Sequence, residues 1–181
     1  RVLKLLAVLS PKAAPAHFAL ATGVRDGRPV DGAEIAVRRG LALDAMDARG
    51  WQLAAELASR SGRPDRTHQL TRAALILQPD HANGHTMLGT LAFEAGRSGV
   101  AQFARAAAIA PTSSEALSNL ANALYREDRP AEALRRSRQA LAFDPALPGA
   151  LNNFGAALHN LLDLAGARAW LTRAMCLPGI A

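Results

Sequence analysis

Regularly spaced prolines constrain the fold of this chain more than any other feature of its sequence. The prolines that follow apolar segments of helical length are Pro11, Pro79, Pro111, Pro145 and Pro178. They are separated by 68, 32, 34 and 33 residues, and a step of about 34 residues after Pro11 reaches Ala45, which stands where a proline is expected. A fixed period near 34 residues predicts stacked pairs of α-helices. No convincing period-2 pattern indicates strands.

The period divides the chain into frames with a common pattern. The frames are residues 14–47, 48–81, 82–113, 114–147 and 148–181, and the third is two residues short. Residues 1–13 are predicted to be the second helix of a preceding pair, so that residues 1–181 form a single repeat domain. A position within a frame is called a place below, counted from the first residue of a full-length frame.

Small residues recur at three places of the frames. They stand at place 8 (Ala21, Ala55, Gly89, Ala121, Gly155), place 20 (Ala33, Thr67, Ala133, Ala167) and place 27 (Gly40, Ala74, Ala140, Ala174). In the short frame, Ala101 and either Ala106 or Ala108 are expected to fill the last two places. Helices pack as close as about 8 Å only where the side chains at the crossing are small. The small places are therefore predicted to be helix crossings.

The frame 114–147 shows the pattern most clearly. It contains the segments Glu115–Ala121, Pro130–Leu134 and Gln139–Pro145. This pattern resembles the tetratricopeptide repeat family, in which Trp, Leu-Gly and Tyr on a first helix precede Ala, Phe, Ala and Pro on a second. The resemblance implies an all-α, right-handed solenoid of about five helix-turn-helix repeats. It also implies that the first helices line a concave surface that binds proteins or peptides.

The first frame departs from the pattern. It lacks the proline and has Gly23 within its first helix, which costs about 1 kcal/mol relative to alanine. Residues 1–16 also resemble a signal peptide. However, their apolar run is shorter than the roughly 7–15 residues expected of one, because Lys4 interrupts the apolar segment. We therefore favour a helix for this segment.

Composition and charge narrow the class of partner. The formal net charge of +6 raises the possibility of nucleic-acid binding, and the densest basic cluster is Arg135, Arg136 and Arg138. Few aromatic residues lie near this cluster to stack on bases, so a nucleic-acid partner is not favoured. Cys176 is the only cysteine, which excludes an internal disulfide and fits a cytoplasmic protein. No apolar run is long enough to span a membrane.

Catalytic motifs are lacking in the sequence. It has no phosphate-binding glycine loop, no Gly-x-Ser-x-Gly motif and no paired-cysteine metal site. Asp80, His81 and His85 are the best candidates for a metal site, but a third committed ligand is not evident. We predict no enzymatic activity, no metal and no cofactor.

Recurring asparagines are the most informative polar residues. Asn119 and Asn153 both occupy place 6, and Asn122 lies one helical turn after Asn119. Asparagine is a poor interior helix former, but its amide can both donate to and accept from an extended peptide backbone. The same place carries an asparagine ladder in the repeats of O-linked N-acetylglucosamine transferases, which these frames resemble. Alternatively, the amides cap helices or join neighbouring helices. The other side chains predicted for the peptide-binding face are Asn152, Tyr125, Arg126, His159 and Asn160.

Three functions are compatible with these features. The chain can be a free-standing scaffold that binds proteins or extended peptides. It can be the substrate-recognition arm of a larger enzyme, such as a bacterial glycosyltransferase. It can also self-associate through its ends, because no polar capping helix is evident there.

Overall fold

A computed structural model of the protein describes residues 30–161 and, beyond them, Thr172. The predicted helix at 1–13, the signal-peptide alternative for 1–16, the first helix of frame 14–47 and the environment of Cys176 lie outside the described residues. The helices are α1 (Val30–Leu43), α2 (Ala48–Arg60), α3 (Pro64–Leu77), α4 (Ala82–Glu94), α5 (Val100–Ile109), α6 (Ser114–Arg126), α7 (Pro130–Phe143) and α8 (Pro148–Asn160). Within residues 30–161 there is no β-strand.

Helices α2, α4, α6 and α8 are the first helices of their frames. They begin at Ala48, Ala82, Ser114 and Pro148, which are also the first residues of the four predicted frames. The second helices are α1, α3, α5 and α7. Proline at the first position of α3, α7 and α8 suits a helix start, because that position has no intrahelical partner for an N–H group.

The turns between the two helices of a pair share one backbone conformation. Gly62, Gly96 and Asp128 all occupy place 15, and their φ angles are +65°, +69° and +56°. Only glycine adopts this left-handed region without steric cost, and aspartate tolerates it better than most residues. The turn geometry is therefore the same in three frames although the residue differs in one.

The turn that leads into α2 explains how alanine replaces proline at position 45. The carboxylate of Asp44 accepts a hydrogen bond from the backbone N–H of Met46 at 3.0 Å, as Asp144 does from Ala146 at 3.0 Å. The indole N–H of Trp51 donates to the carbonyl of Ala45 at 2.8 Å. The side-chain turn is common to both frames, and the tryptophan bond is the additional contact that holds the segment where alanine stands in place of proline.

The described residues divide into two compact units, residues 30–84 and residues 85–161, with the boundary inside α4. In the first unit, α1 and α3 pack on α2. Its buried core is Ala33, Ala36, Val37 and Leu57.

In the second unit, α5, α7 and α8 pack on α6, and α7 also packs on α8. Its larger core includes Phe103, Leu117, Leu120, Leu124, Leu141, Leu151 and Phe154. Each unit therefore has a core of its own.

The small residues of the frames are buried where the sequence predicts helix crossings. At place 8, Ala55, Gly89, Ala121 and Gly155 are all buried. At place 27, Ala74, Ala106 and Ala140 are at most 1% exposed. Ala108, the other candidate in the short frame, is exposed.

The prediction for Ala101 is wrong, because this residue is exposed and Gly99 occupies place 20 instead. Counted back from Ala106, Gly99 corresponds to Thr67 and Ala133, which are fully buried. A Cβ atom on Gly99 would lie 2.7 Å from the carbonyl oxygen of Gly89. The two residues that this frame lacks precede place 20, so counting from the start of the frame reaches Ala101 instead of Gly99.

Phe103 fills the space beside these two glycines. In the same alignment, Phe103 is equivalent to Thr71 and Ser137 of the neighbouring frames. The hydroxyls of those two residues donate to backbone carbonyls one turn earlier, at 2.7 and 2.9 Å. A Cβ atom on Gly89 would lie 2.9 Å from the Phe103 ring. The short frame therefore uses two glycines and one large ring where other frames use small side chains throughout.

Candidate binding site on the first helices

Three of the predicted site residues of α6 lie on the face opposite its buried one, whereas the fourth, Tyr125, packs against the core. Asn122 and Arg126 are exposed, and Asn119 and Tyr125 are half-buried. Asn119, Asn122 and Arg126 are spaced by three and four residues, so they share one side of the helix. The other side packs into the core through Leu117, Leu120 and Leu124.

Three of the predicted site residues on α8 are exposed, namely Asn152, His159 and Asn160. The fourth, Asn153, is half-buried and its side chain is hydrogen-bonded within the protein. The Nδ2 group of Asn153 donates to the carbonyl oxygen of Ser118 at 2.9 Å and lies 3.3 Å from its hydroxyl oxygen. This bond joins α8 to α6, which is the structural alternative for the asparagines.

The asparagines of α6 differ from Asn153 in this respect. Among the described residues, the Asn119 and Asn122 side chains have no hydrogen-bond partner. Asn119 and Asn153 occupy the same place, but only the amide of Asn153 spans two helices. The exposed amide of Asn122 is accordingly the best placed of the three to meet a ligand.

Arg126 borders a small cavity between the ends of two first helices. Its guanidinium carbon lies 4.1 Å from the centre of the Phe93 ring of α4, which is a cation–π contact. The cavity volume is about 190 Å³, and Arg97, Ser98 and Glu127 also line it. The hydroxyl of Ser98 donates to the carboxylate of Glu127. The Phe93 ring thus contacts the guanidinium of the exposed Arg126, whose N–H groups can donate to a carboxylate or a carbonyl.

Phe93 is a candidate site residue that was not predicted from the sequence. It occupies place 12, as do Tyr125 and His159. The recurrence of a ring at this place in three successive frames was a usable signal.

The carboxylates with shifted pKa lie at helix starts, outside the candidate site. A side-chain hydrogen bond from Arg49 lowers the pKa of Asp47, which also caps α2 by accepting from the Arg49 N–H at 3.0 Å. A hydrogen bond from Arg129 lowers the pKa of Glu132 in the first turn of α7. Both shifts favour the ionised form near neutral pH and stabilise helix ends.

One of the two histidines of the weak metal candidate, His85, forms a hydrogen bond with another helix. Nδ1 of His85 lies 3.0 Å from Oε1 of Gln102, so the ring N–H of His85 donates to this amide oxygen. In the described part of the chain, no group of three or more His, Cys, Asp or Glu side chains is arranged to hold a metal ion. Nor does any helix within residues 30–161 have the length and apolar content that a membrane span requires.

Comparison with known proteins finds similarity to solved structures only. No family model matches the sequence, and a search of curated proteins finds no match. Among solved structures, YrrB, described as a tetratricopeptide repeat protein with an unusual peptide-binding site, is similar with a TM-score of 0.79 and 18% identity. The similarity covers 97% of this chain and 91% of YrrB.

Two further structures show the same likeness. PilF from Pseudomonas aeruginosa has a TM-score of 0.79 and 18% identity, over 91% of this chain and 76% of PilF. MamA from Desulfovibrio magneticus has a TM-score of 0.78 and 16% identity, over 90% of this chain and 93% of MamA. The predicted fold class, an all-α solenoid of helical repeats, is confirmed. This protein has the fold of the tetratricopeptide repeat proteins.

Proposed function

We propose that the chain is a binding module that holds a protein segment, in the form of an extended peptide, on its first helices. The exposed side chains of α6 and α8 form the binding surface, with Asn122, Asn152 and Arg126 as the principal contacts. The observation that carries this proposal is the stacking of Arg126 on Phe93 beside the cavity between α4 and α6. A cation held in place by an aromatic ring loses little side-chain entropy when it binds a carboxylate or carbonyl.

The fold supports the same proposal. The similar protein YrrB is described as having a peptide-binding site, and repeat solenoids offer extended surfaces for binding. The shifted pKa values of Asp47 and Glu132 belong to helix ends and provide no acid–base pair in a cleft. We therefore propose a scaffold in the cytoplasm with no catalytic role, whether free-standing or part of a larger enzyme.

An immobilised array of random twelve-residue peptides, probed with the full chain, tests this function. Peptides that bind the parent chain should bind the Asn122→Ala and Arg126→Ala variants several-fold more weakly, since one hydrogen bond contributes about 0.5–1.5 kcal/mol. The matched control is Arg135→Ala with Arg136→Ala, because both arginines are exposed on the second helix α7. Backbone recognition predicts that N-methylated versions of the same peptides also lose affinity.

The asparagine that joins two helices gives an internal check. Asn153→Ala should lower the free energy of unfolding by about 0.5–1.5 kcal/mol, because it removes the bond to Ser118. Asn122→Ala should leave stability unchanged or slightly raised. Equal loss of peptide binding in the Arg135 and Arg136 control, with steep salt dependence, would instead indicate an electrostatic partner such as nucleic acid.

A further inference from the structure

A second cavity lies in the first unit, and no residue of α6 or α8 lines it. It is formed by α1, α2 and α3 and has a volume of about 190 Å³. Two consecutive second helices, α1 and α3, make its sides, and the first helix α2 lies between them. None of the residues predicted from the sequence to bind a peptide belongs to it.

The wall of this cavity is largely apolar. Leu41, Ala54, Leu57, Leu70 and Trp51 contribute to it. Leu57 belongs to the buried core of the unit, so the floor is fixed by packing. The Trp51 N–H is already bonded to the Ala45 carbonyl, so the indole presents its apolar ring to the cavity. A dry apolar cavity of roughly 150 Å³ can hold a benzene molecule, so this one has room for a single aromatic or branched aliphatic side chain.

The charges at the rim are unbalanced. Glu34 accepts a bond from Arg63 at 3.2 Å, so its charge is compensated. Arg38 and Arg66 also line the cavity, and neither forms an ion pair with another described residue. The rim therefore carries an excess of positive charge around an apolar floor, which is complementary to an apolar group flanked by carboxylates.

We propose that this cavity is a second binding site, which takes one apolar side chain from an acidic peptide segment of another protein. The side chain occupies the space between α1 and α3, and Arg38 and Arg66 pair with flanking carboxylates. This site is separate from the surface formed by α6 and α8, and its function does not depend on that surface.

Trp51 provides a direct readout for this site. The chain has two tryptophans, Trp51 and Trp170, so a Trp170→Phe variant of the full chain leaves Trp51 as the sole tryptophan, which is excited selectively over Tyr125 at the red edge of its absorption. The probe is the acetylated and amidated pentapeptide Asp-Glu-Phe-Glu-Asp. Two control peptides replace its phenylalanine by alanine or its four acidic residues by lysine. We expect saturable change of Trp51 fluorescence with the first peptide, weaker binding of the alanine peptide and none of the lysine peptide.

Variants at the cavity separate its two components. Arg66→Glu should weaken binding of the acidic peptide about fivefold or more, as expected when an attractive ion pair becomes repulsive. Arg72→Glu is the charge-matched control, because Arg72 is exposed on the same helix and does not line the cavity. Ala54→Leu should abolish binding by filling the space, and melting curves of all variants show whether folding is retained.

Three outcomes would overturn this proposal. The first is equal binding of the phenylalanine and alanine peptides. The second is an equal effect of Arg66→Glu and Arg72→Glu, which would indicate attraction by the overall charge only. The third is concentration-dependent self-association of the parent chain that Ala54→Leu removes in sedimentation, which would make a second copy the occupant.

Discussion

Gly99 and Gly89 determine how closely the two helices of the short frame approach. A Cβ atom on Gly99 would meet a backbone oxygen at 2.7 Å and the Phe103 ring at 2.8 Å. A flexible side chain can move away from such a contact, but the backbone oxygen of a buried helix cannot do so without shifting the helix.

Gly99→Ala should therefore destabilise the protein by about 1–3 kcal/mol through overpacking at this crossing. Gly89→Leu, which would meet the Phe103 ring, should be at least as damaging. Chemical denaturation measures both changes. Gly149→Ala is the milder comparison, because its Cβ would meet only the Ser118 hydroxyl at 3.1 Å. If Gly99→Ala unfolds like the parent, the helices of this pair are further apart than described.

The predictability of single residues from the sequence follows from what each one contacts. Small residues such as Ala121 and Ala140 were predicted because the same constraint repeats in every frame, and both are fully buried. Gly99 was missed because a shift in the connection changed its count from the frame start. The bond of Asn153 to Ser118 could not be predicted, because the spacing of asparagines does not reveal which amide reaches a neighbouring helix.

Among the elements, the intra-pair turns are the most uniform. Place 15 requires a positive φ in three frames, and two of these use glycine. The segments Gly62–Pro64, Gly96–Ser98 and Asp128–Pro130 contain residues that favour turns, but their shared left-handed residue is visible only in the backbone.

Gly62→Ala should lower the free energy of unfolding by about 1 kcal/mol, because alanine is strained in the left-handed region. A Cβ atom on Gly62 would have no neighbour within 4 Å, so a steric clash cannot account for the loss. Gly32→Ala is the matched control, since its Cβ is equally unhindered but lies in the helix α1, where alanine is favoured by up to about 1 kcal/mol.

The aspartate of the third turn should respond in the opposite direction. Asp128→Gly should leave stability unchanged or raise it by up to about 1 kcal/mol, because glycine adopts φ +56° without cost. Thermal melting of the Gly62→Ala and Asp128→Gly variants shows whether the first loses stability and the second does not. A destabilised Asp128→Gly would mean that the Asp128 side chain makes a stabilising interaction that outweighs the backbone strain.

For the whole molecule, the two separate cores determine how far along the chain a core substitution lowers stability. Leu151 is fully buried in the core of residues 85–161, and Leu57 is buried in that of residues 30–84. In repeat proteins each unit contacts only its neighbours, so stability is distributed along the chain instead of being shared by a single core.

Leu151→Ala should therefore lower stability by about 2–5 kcal/mol, mainly in the second unit. Hydrogen exchange followed by mass spectrometry on the full chain should show faster exchange in α6, α7 and α8 than in α1 and α2. Leu57→Ala should give the reverse distribution. Uniform acceleration over residues 30–161 in both variants would indicate a single cooperative transition.

The pairing of Phe103 with Gly89 and Gly99 limits how this protein can be rebuilt from interchangeable parts. A designer who grafts a generic repeat onto residues 82–113 one position at a time would pass through sequences that either clash or leave a void. Serine in place of Phe103 removes the ring that occupies the space, while alanine at either glycine has no room as long as the ring remains. The three residues can be exchanged without a clash or a void only if all three change together. A graft onto this frame must therefore exchange Gly89, Gly99 and Phe103 together.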